Sequence, residues 1–405
     1  MTTTATINKS ELMAPPVAES LQTRSMFIGL IGAAASVAGA VMVPNEFYSA
    51  YLTVFMVALS LSLGCMSILM LYHLVGGGWG TVARRILEAG MMTLPLMAAL
   101  FIPIWLNLPR LYEWARPEEL ALPKNGKLRD IAASYLNSNG IMTRAALYFV
   151  LWLLIAFLLN RWSSAQDSES ARNQSTLRFR AVSAPGLVVY SLTFSFAVID
   201  WVMSLQARWI STIYGLIFIA GAALSTFCFV VLIESILSKS KPMSGYLKST
   251  EIHDHGKLML AFVMVWAYFN FSQWLIMWSG NLPEEIPWFL RRMNGGWGIV
   301  AMYLVVFHFA VPFAFLLSQR LKRQTSTLVF MASWLILMRV VDIYWHIEPA
   351  QSLHHDTFHI SWTLFAALFG VGGLWMAYFF HNLRARPLLA VYAPQTLRLL
   401  EPSHE

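Results

Sequence analysis

The chain has 405 residues, 57 % of them apolar and only 12 % charged, with a formal net charge of +7. A soluble protein carries roughly twice that charged share. So much apolar surface cannot be hidden in one aqueous core, which excludes a string of soluble domains and points to an all-α polytopic membrane protein. The basic residues sit in short loops between apolar runs, which argues for a lipid bilayer and against nucleic acid as the partner.

Residues 1–24 form a polar, Thr/Ala/Pro-rich N-terminal tail. Its charges nearly balance, Lys9 and Arg24 against Glu11 and Glu19, which makes a poor signal-peptide n-region. The small-residue run GAAASVAGA has cleavage-like spacing, but the stretch reads as a retained first span. Ten apolar stretches follow, at 25–43, 48–73, 86–106, 144–160, 185–204, 211–237, 257–279, 297–318, 327–347 and 358–381. Each is long enough to cross ~30 Å of hydrocarbon as a helix. The runs are continuous rather than alternating, so a β-barrel is not a competing reading. A C-terminal tail, 382–405, completes the chain.

Spans two to five align weakly on spans six to nine. The fourth ends LLNRW and the eighth LLSQR; the fifth and ninth each place an Asp (Asp200, Asp342) late in the helix with an aromatic after it. Cys65 and Cys228 fall mid-span in the second and sixth. This predicts two four-helix bundles, 48–204 and 211–347, in a parallel repeat with flanking first and last helices. Chance similarity of apolar segments is the competing explanation.

Charges inside the spans are costly and face a partner or a wet path. Arg339, Asp342 and His346 in the ninth span are three and four residues apart and share one helical face. They form either an ion pair that locks helices or part of a proton or quinone-headgroup path, with Asp200 at similar depth. Asn270 and Gln273 lie on the seventh span and His308 mid-span on the eighth. On the side of the termini, His73 ends the second span, the turn GGGWG follows, and Arg84, Arg85 and Glu88 open the third. Glu88 is placed for intrahelical pairs with both arginines. Glu234 and the run His253-Asp254-His255 are on the same side; the two His have metal-like spacing, but a solvated helix cap is the simpler reading. His354, His355 and His359 in the last outer loop read the same way. Two isolated Cys and no Cys/His set at one depth predict no metal, haem or cluster in this chain. GGGWG lacks the Lys of a phosphate loop and reads as a tight hairpin turn.

The blocks LGCMSILMLYHLVGGGWGTVARRILEA, DWVMSLQARWISTIYG, HDHGKLMLAFVMVWAYFNFSQWLIMWSGNLPEE and VDIYW with a following EP resemble the ActF subunits of alternative complex III. These belong to the NrfD-like family, together with the membrane subunit of polysulfide reductase. The resemblance runs from about residue 25 to 390. It implies a subunit of a bacterial quinol:cytochrome c (electron acceptor) oxidoreductase in the respiratory electron-transport chain of the inner membrane. It also implies partners: a sister NrfD-like subunit, a multihaem cytochrome c, an iron–sulfur protein, a monohaem cytochrome and small membrane subunits. Haems and iron–sulfur clusters would sit in those partners, and quinone or menaquinone mainly at the sister subunit. The isolated chain would not be catalytic. Residues matching the family blocks are His73, Glu88, Asp200, Asp254, Lys257, Asn270, Gln273 and Asp342. The family block after DWVMSL commonly continues Glu-Pro-His; here it is Gln206-Ala207-Arg208, and His255 stands where an apolar residue is more usual.

Taken together, the sequence predicts a proton path through His73, Glu88, Asp200, Glu234, Asn270, His308, Arg339, Asp342 and His346, with Asp200 and His346 as candidate quinone contacts. A purely structural scaffold and a secondary transporter are the alternatives. The side holding the termini carries eighteen Lys and Arg, including Arg172, Lys248 and Arg398, against nine on the other. The positive-inside rule therefore predicts cytoplasmic termini. Reporter fusions after Arg116 and Arg323 should report opposite sides, with Arg323 cytoplasmic; the same side for both overturns this topology.

Overall fold

A computed structural model describes residues 9–171, 176–247, 249–351 and 357–400, with side chains described except at 171, 249 and 398–400. Arg172, Lys248, His354 and His355 lie outside the described residues, as does the side chain of Arg398. Helix makes up 85 % of the structure, and there is no strand among the described residues. The protein is an all-α polytopic membrane protein.

Ten helices among the described residues are long and apolar enough to cross a bilayer: α1 Pro16–Met42, α2 Pro44–Val75, α3 Gly78–Leu106, α4 Ser138–Ala165, α5 Leu177–Gln206, α6 Tyr214–Leu237, α7 Thr250–Gly280, α8 Trp297–Leu317, α9 Thr325–Gln351 and α10 Trp362–Arg384. Each matches an expected span; most extend past it at one end or both, because polar residues continue a helix beyond the apolar run, while α6 and α10 begin three and four residues later than expected. Gly76 and Gly77 both take positive φ, 74° and 108°, and make the α2–α3 turn the hairpin that the glycine run predicts.

The helices α2 and α6 form the centre. Both are apolar all round, which suits burial on every side. They pack on each other, and their neighbours repeat. Helix α2 packs on α3 and α5, as α6 packs on α7 and α9. Helix α4 lies against α3 and α5, as α8 lies against α7 and α9; the cross-pairs α2–α9 and α6–α5 also correspond. The α2–α6 approach needs Gly64: a Cβ there would lie 2.7 Å from the Ala222 carbonyl oxygen. Outside this pair, α10 docks on α2, with Trp375 Nε1 donating to Ser62 Oγ at 2.8 Å.

Two helices are interrupted for identifiable reasons. A π-helical turn, Val305–Ala310, sits in the middle of α8. Pro312 has no N–H to offer the carbonyl of His308 four residues back, so the ladder slips by one residue. The turn at 92–93 in α3 is held by Thr93 Oγ1, which donates to the Gly90 carbonyl at 2.6 Å.

The tails differ from the sequence expectation. Lys9–Leu12 is a short 3-10 helix and α1 begins at Pro16, within the stretch expected to be a polar tail. Leu388 N–H donates to the Leu12 carbonyl at 2.7 Å, and Leu12 packs with Leu389, Val391 and Tyr392. Both chain ends therefore share one face of the bundle, here termed the near face. The far-face loop 107–143 is likewise folded: Tyr112 is fully buried and donates to the Trp201 carbonyl at 2.9 Å.

Helix α1 is held mainly by α10. A Cβ on Gly32 would lie 2.2 Å from Gly370 N, and one on Gly373 2.6 Å from Gly29 Cα. Small residues at this spacing let two backbones touch, which supplies the packing energy that lipid cannot. Gly32→Leu should separate α1 from α10 and lower the melting temperature of the detergent-solubilised protein by several degrees. Ala34→Leu, on the exposed face of α1, should leave it unchanged.

Candidate functional site

Among the described residues, four charge networks are buried in the bundle. The one on α9 lies deepest. Arg339 is near the middle of that helix, and Asp342 and His346 follow toward the far face on the same side of it. Arg339 Nη1 donates to Asp342 Oδ2 at 2.5 Å, and Nη2 reaches the Phe218 carbonyl at 3.4 Å. Trp266 of α7 donates from Nε1 to the same Asp342 oxygen at 3.2 Å. Asp342 Oδ1 has no hydrogen-bond partner and lies 3.7 Å from His346 Nε2. His346 Nδ1 meets the Tyr214 hydroxyl at 3.2 Å. The His308 ring stacks on Trp266 at 4.0 Å, fully buried, with both ring nitrogens unpartnered.

Space for the guanidinium comes from the facing helix. A Cβ on Gly221 of α6 would lie 2.2 Å from Arg339 Nη1. At the far face, Arg292 closes the ladder: it donates to the His346 carbonyl at 2.5 Å and to Gln206 Oε1 at 2.8 Å, and stacks on Trp288 at 3.8 Å. Burial lowers its pKa to about 9, since no carboxylate sits against it. Arg339, Asp342, His346 and His308 are the residues the sequence singles out. Trp266, Tyr214, Gly221 and Arg292 are not; nothing in their local spacing signals a site.

Asp200 belongs to a different network, which corrects its grouping with Asp342. Arg144 of α4 grips it with two prongs, Nε to Oδ2 at 2.8 Å and Nη2 to Oδ1 at 2.9 Å. The Tyr148 hydroxyl adds a third bond at 3.0 Å. Asn270 sits one turn from Trp266 but donates back to the Trp266 carbonyl at 2.9 Å, and Gln273 accepts from Ser211.

The near-face networks are two. Glu88 accepts from Arg84 at 2.8 Å, Arg85 at 2.7 Å and Ser163 at 2.6 Å. The expected intrahelical pairs therefore form and are extended to α4, because Arg84 also reaches Gln166 at 2.7 Å and Arg85 reaches Asp167 at 2.5 Å. His73 stacks on Phe179 at 4.6 Å rather than joining Glu88. In the second bundle, Glu234 pairs with His255 Nδ1 at 3.0 Å, and His255 Nε2 meets the Trp79 carbonyl at 2.9 Å. This corrects the reading of His253-Asp254-His255 as a solvated cap. The run lies inside α7, and two residues of helix turn His255 into the core while Lys257 and Asp254 pair on the surface at 2.9 Å.

Among the described residues, no three His, Cys, Asp or Glu side chains converge as metal ligands. Cys65 and Cys228 are buried and free. Neither candidate quinone contact fits a ring-sized ligand: Asp200 is fully buried and occupied, and His346 is boxed by Tyr214, Phe218, Trp288 and Trp345. A far-face cavity of about 300 Å³ is lined instead by Glu46, Trp297, Glu348, Gln351 and the exposed His359. No family model matches the chain, and no curated protein matches it.

The α9 network should behave as one unit. Arg339→Leu strands the buried Asp342 carboxylate and should cost about 3–5 kcal/mol, whereas Arg339→Leu with Asp342→Leu should cost less. Gly221→Ala should destabilise the wild type more than that double variant, since its clash is with the guanidinium. Equal costs in both backgrounds, measured by thermal unfolding in detergent, would show that Gly221 does not act through Arg339.

Proposed function

We propose that the chain is an integral-membrane subunit of a bacterial quinol:electron acceptor oxidoreductase of the alternative complex III type, and that it carries protons rather than electrons. Support for the complex comes from the sequence blocks shared with NrfD-like subunits. Support for the proton role comes from one observation: protonatable side chains enter the bundle from both faces and stop short of each other. From the near face they reach Glu234 and His255; from the far face they reach Asp342, Arg339 and His308. Along α6, Glu234 and the Arg339 contact at Gly221 are thirteen residues apart, about 20 Å at 1.5 Å per residue. On this interval Phe227 lies 6.2 Å from the His255 ring and stacks on Phe262 at 5.6 Å.

In this reading quinol is oxidised at the sister subunit, and its electrons leave through the haems and iron–sulfur clusters of the partners. Asp342 is the pivotal group. One of its oxygens is committed to Arg339 and Trp266, and the other faces His346 with no bond of its own. A small helix shift that hydrates the aromatic gap would join the two half-paths. The near face would be cytoplasmic, by its basic excess.

A structural scaffold is the second reading, and Glu88 favours it: both its oxygens are satisfied by Arg84, Arg85 and Ser163. The two readings separate in liposomes containing the whole complex. Asp342→Asn should leave quinol oxidation largely intact and lower the protons released per electron. Glu88→Gln should lower stability without changing that ratio. A wild-type ratio in an assembled Asp342→Asn complex would make the chain a scaffold. Absence of haem and iron–sulfur proteins from the purified native assembly would favour a secondary transporter.

A further inference from the structure

The near-face network of the first bundle holds more positive charge than it neutralises. Among the described residues, three guanidiniums, Arg84, Arg85 and Arg386, stand against two carboxylates, Glu88 and Asp167. Arg84 donates to Glu88, Ser163 and Gln166, and Arg85 to Glu88, Ser163 and Asp167, while Arg85 Nε is buried without a hydrogen-bond partner among the described residues. Among the described residues, Arg386 donates through Nη1, to Asn160 Oδ1 at 2.7 Å and to the Asn160 carbonyl at 3.3 Å. Its pKa is lowered from the usual range by burial first and by Arg85 as well, against the pull of Glu88 and Asp167. Two like charges are thus held close with donors to spare.

Between them is a cavity of about 70 Å³, lined by Arg85, Glu88, Ala89, Met92, Asn160, Asn382 and Arg386, with Leu383 and Ala385 completing the wall. That is room for a small oxyanion or a few waters. The cavity lining is mixed, charged and amide side chains at one end and apolar ones at the other. Its polar end lies where α4 and α10 finish at the near face. On α3 its lining passes from the charged Arg85 and Glu88 to the apolar Ala89 and Met92, so that Met92 lies seven residues or about 10 Å beyond Arg85.

We propose that this cavity binds a phosphate monoanion between Arg85 and Arg386, in the chemistry of an anionic phospholipid headgroup. The single uncompensated cation matches a singly charged phosphodiester. A guanidinium pair offers the forked donors that phosphate oxygens accept. The basic excess of this face is where anionic lipids concentrate. The site does not depend on the proton reading of the other bundle.

The test uses the delipidated full chain in detergent and follows its melting temperature and its retained lipid by native mass spectrometry. Phosphatidylglycerol should raise the melting temperature, as a ligand of the folded state alone must, and should be retained over phosphatidylcholine. Arg386→Gln should weaken phosphatidylglycerol by about ten-fold, Arg386→Lys should recover part of this, and Lys257→Gln, an exposed charge on the same face, should change nothing. Inorganic phosphate in place of lipid distinguishes the source: if phosphate alone gives the shift and Arg386→Gln removes it, the ligand is the free anion. The wild type also serves alone, should the variants misfold. Equal retention of the two lipids together with no shift from phosphate would overturn the proposal, as would full phosphatidylglycerol binding by Arg386→Gln.

Discussion

A charge inside an apolar slab has no water to turn to, so each one must find its complement among neighbouring helices. That requirement organises this protein. Asp342 is reached by Arg339 on its own helix and by Trp266 on the next. Asp200 is reached by Arg144 and Tyr148. Glu234 is reached by His255, and Glu88 by two arginines and a serine. Every one of these links but the α9 pair and the Arg84/Arg85–Glu88 pairs crosses between helices. The polar groups that burial makes costly thereby become the pins that set how the apolar helices sit against one another.

The two bundles repeat their packing but not their electrostatics. Asp200 and Asp342 occupy corresponding places near the far ends of α5 and α9. The first is closed, with both oxygens bonded and a guanidinium clamped in two-pronged geometry. The second is open, with one oxygen unbonded and an imidazole within 3.7 Å. A closed ion pair resists change; an open one can respond to a proton or a water. The second bundle also contains the π-helical turn that presents His308 to Trp266, and such turns recur at functional positions. The unbonded carboxylate oxygen and the π-helical turn thus both fall on α8 and α9, and the doubly bonded carboxylate on α5.

The near face is built differently again. There the residues after α10 fold back over the ends of α3 and α4. Val391 N–H donates to Asp167 Oδ1 at 3.4 Å, and Tyr392 N–H to the Gln166 carbonyl at 3.0 Å. The same segment carries Arg386 to the Glu88 cluster. The segment after α10 thus completes a charged layer at the near face.

The number and type of spans were legible in the sequence because hydropathy is a local property: a run of some twenty apolar residues has one low-energy conformation in a bilayer. Contacts between helical neighbours were legible for the same reason. Arg339, Asp342 and His346, and Arg84, Arg85 and Glu88, stand at spacings that place them on one face whatever the tertiary fold. The turn at Gly76 and Gly77 belongs to this class. Tertiary structure alone decided the rest. Arg144 is 56 residues from Asp200, and Trp266 is 76 from Asp342; no periodicity connects them. His255 looked solvated because its loop-like neighbours are polar, yet α7 extends through them and turns it inward. Gly221 looked like any helix glycine, and only the approach of α9 shows that its missing Cβ is where a guanidinium sits. Local chemistry determines what each segment must be; which charge meets which depends on how the segments pack, and that is not written in any one of them.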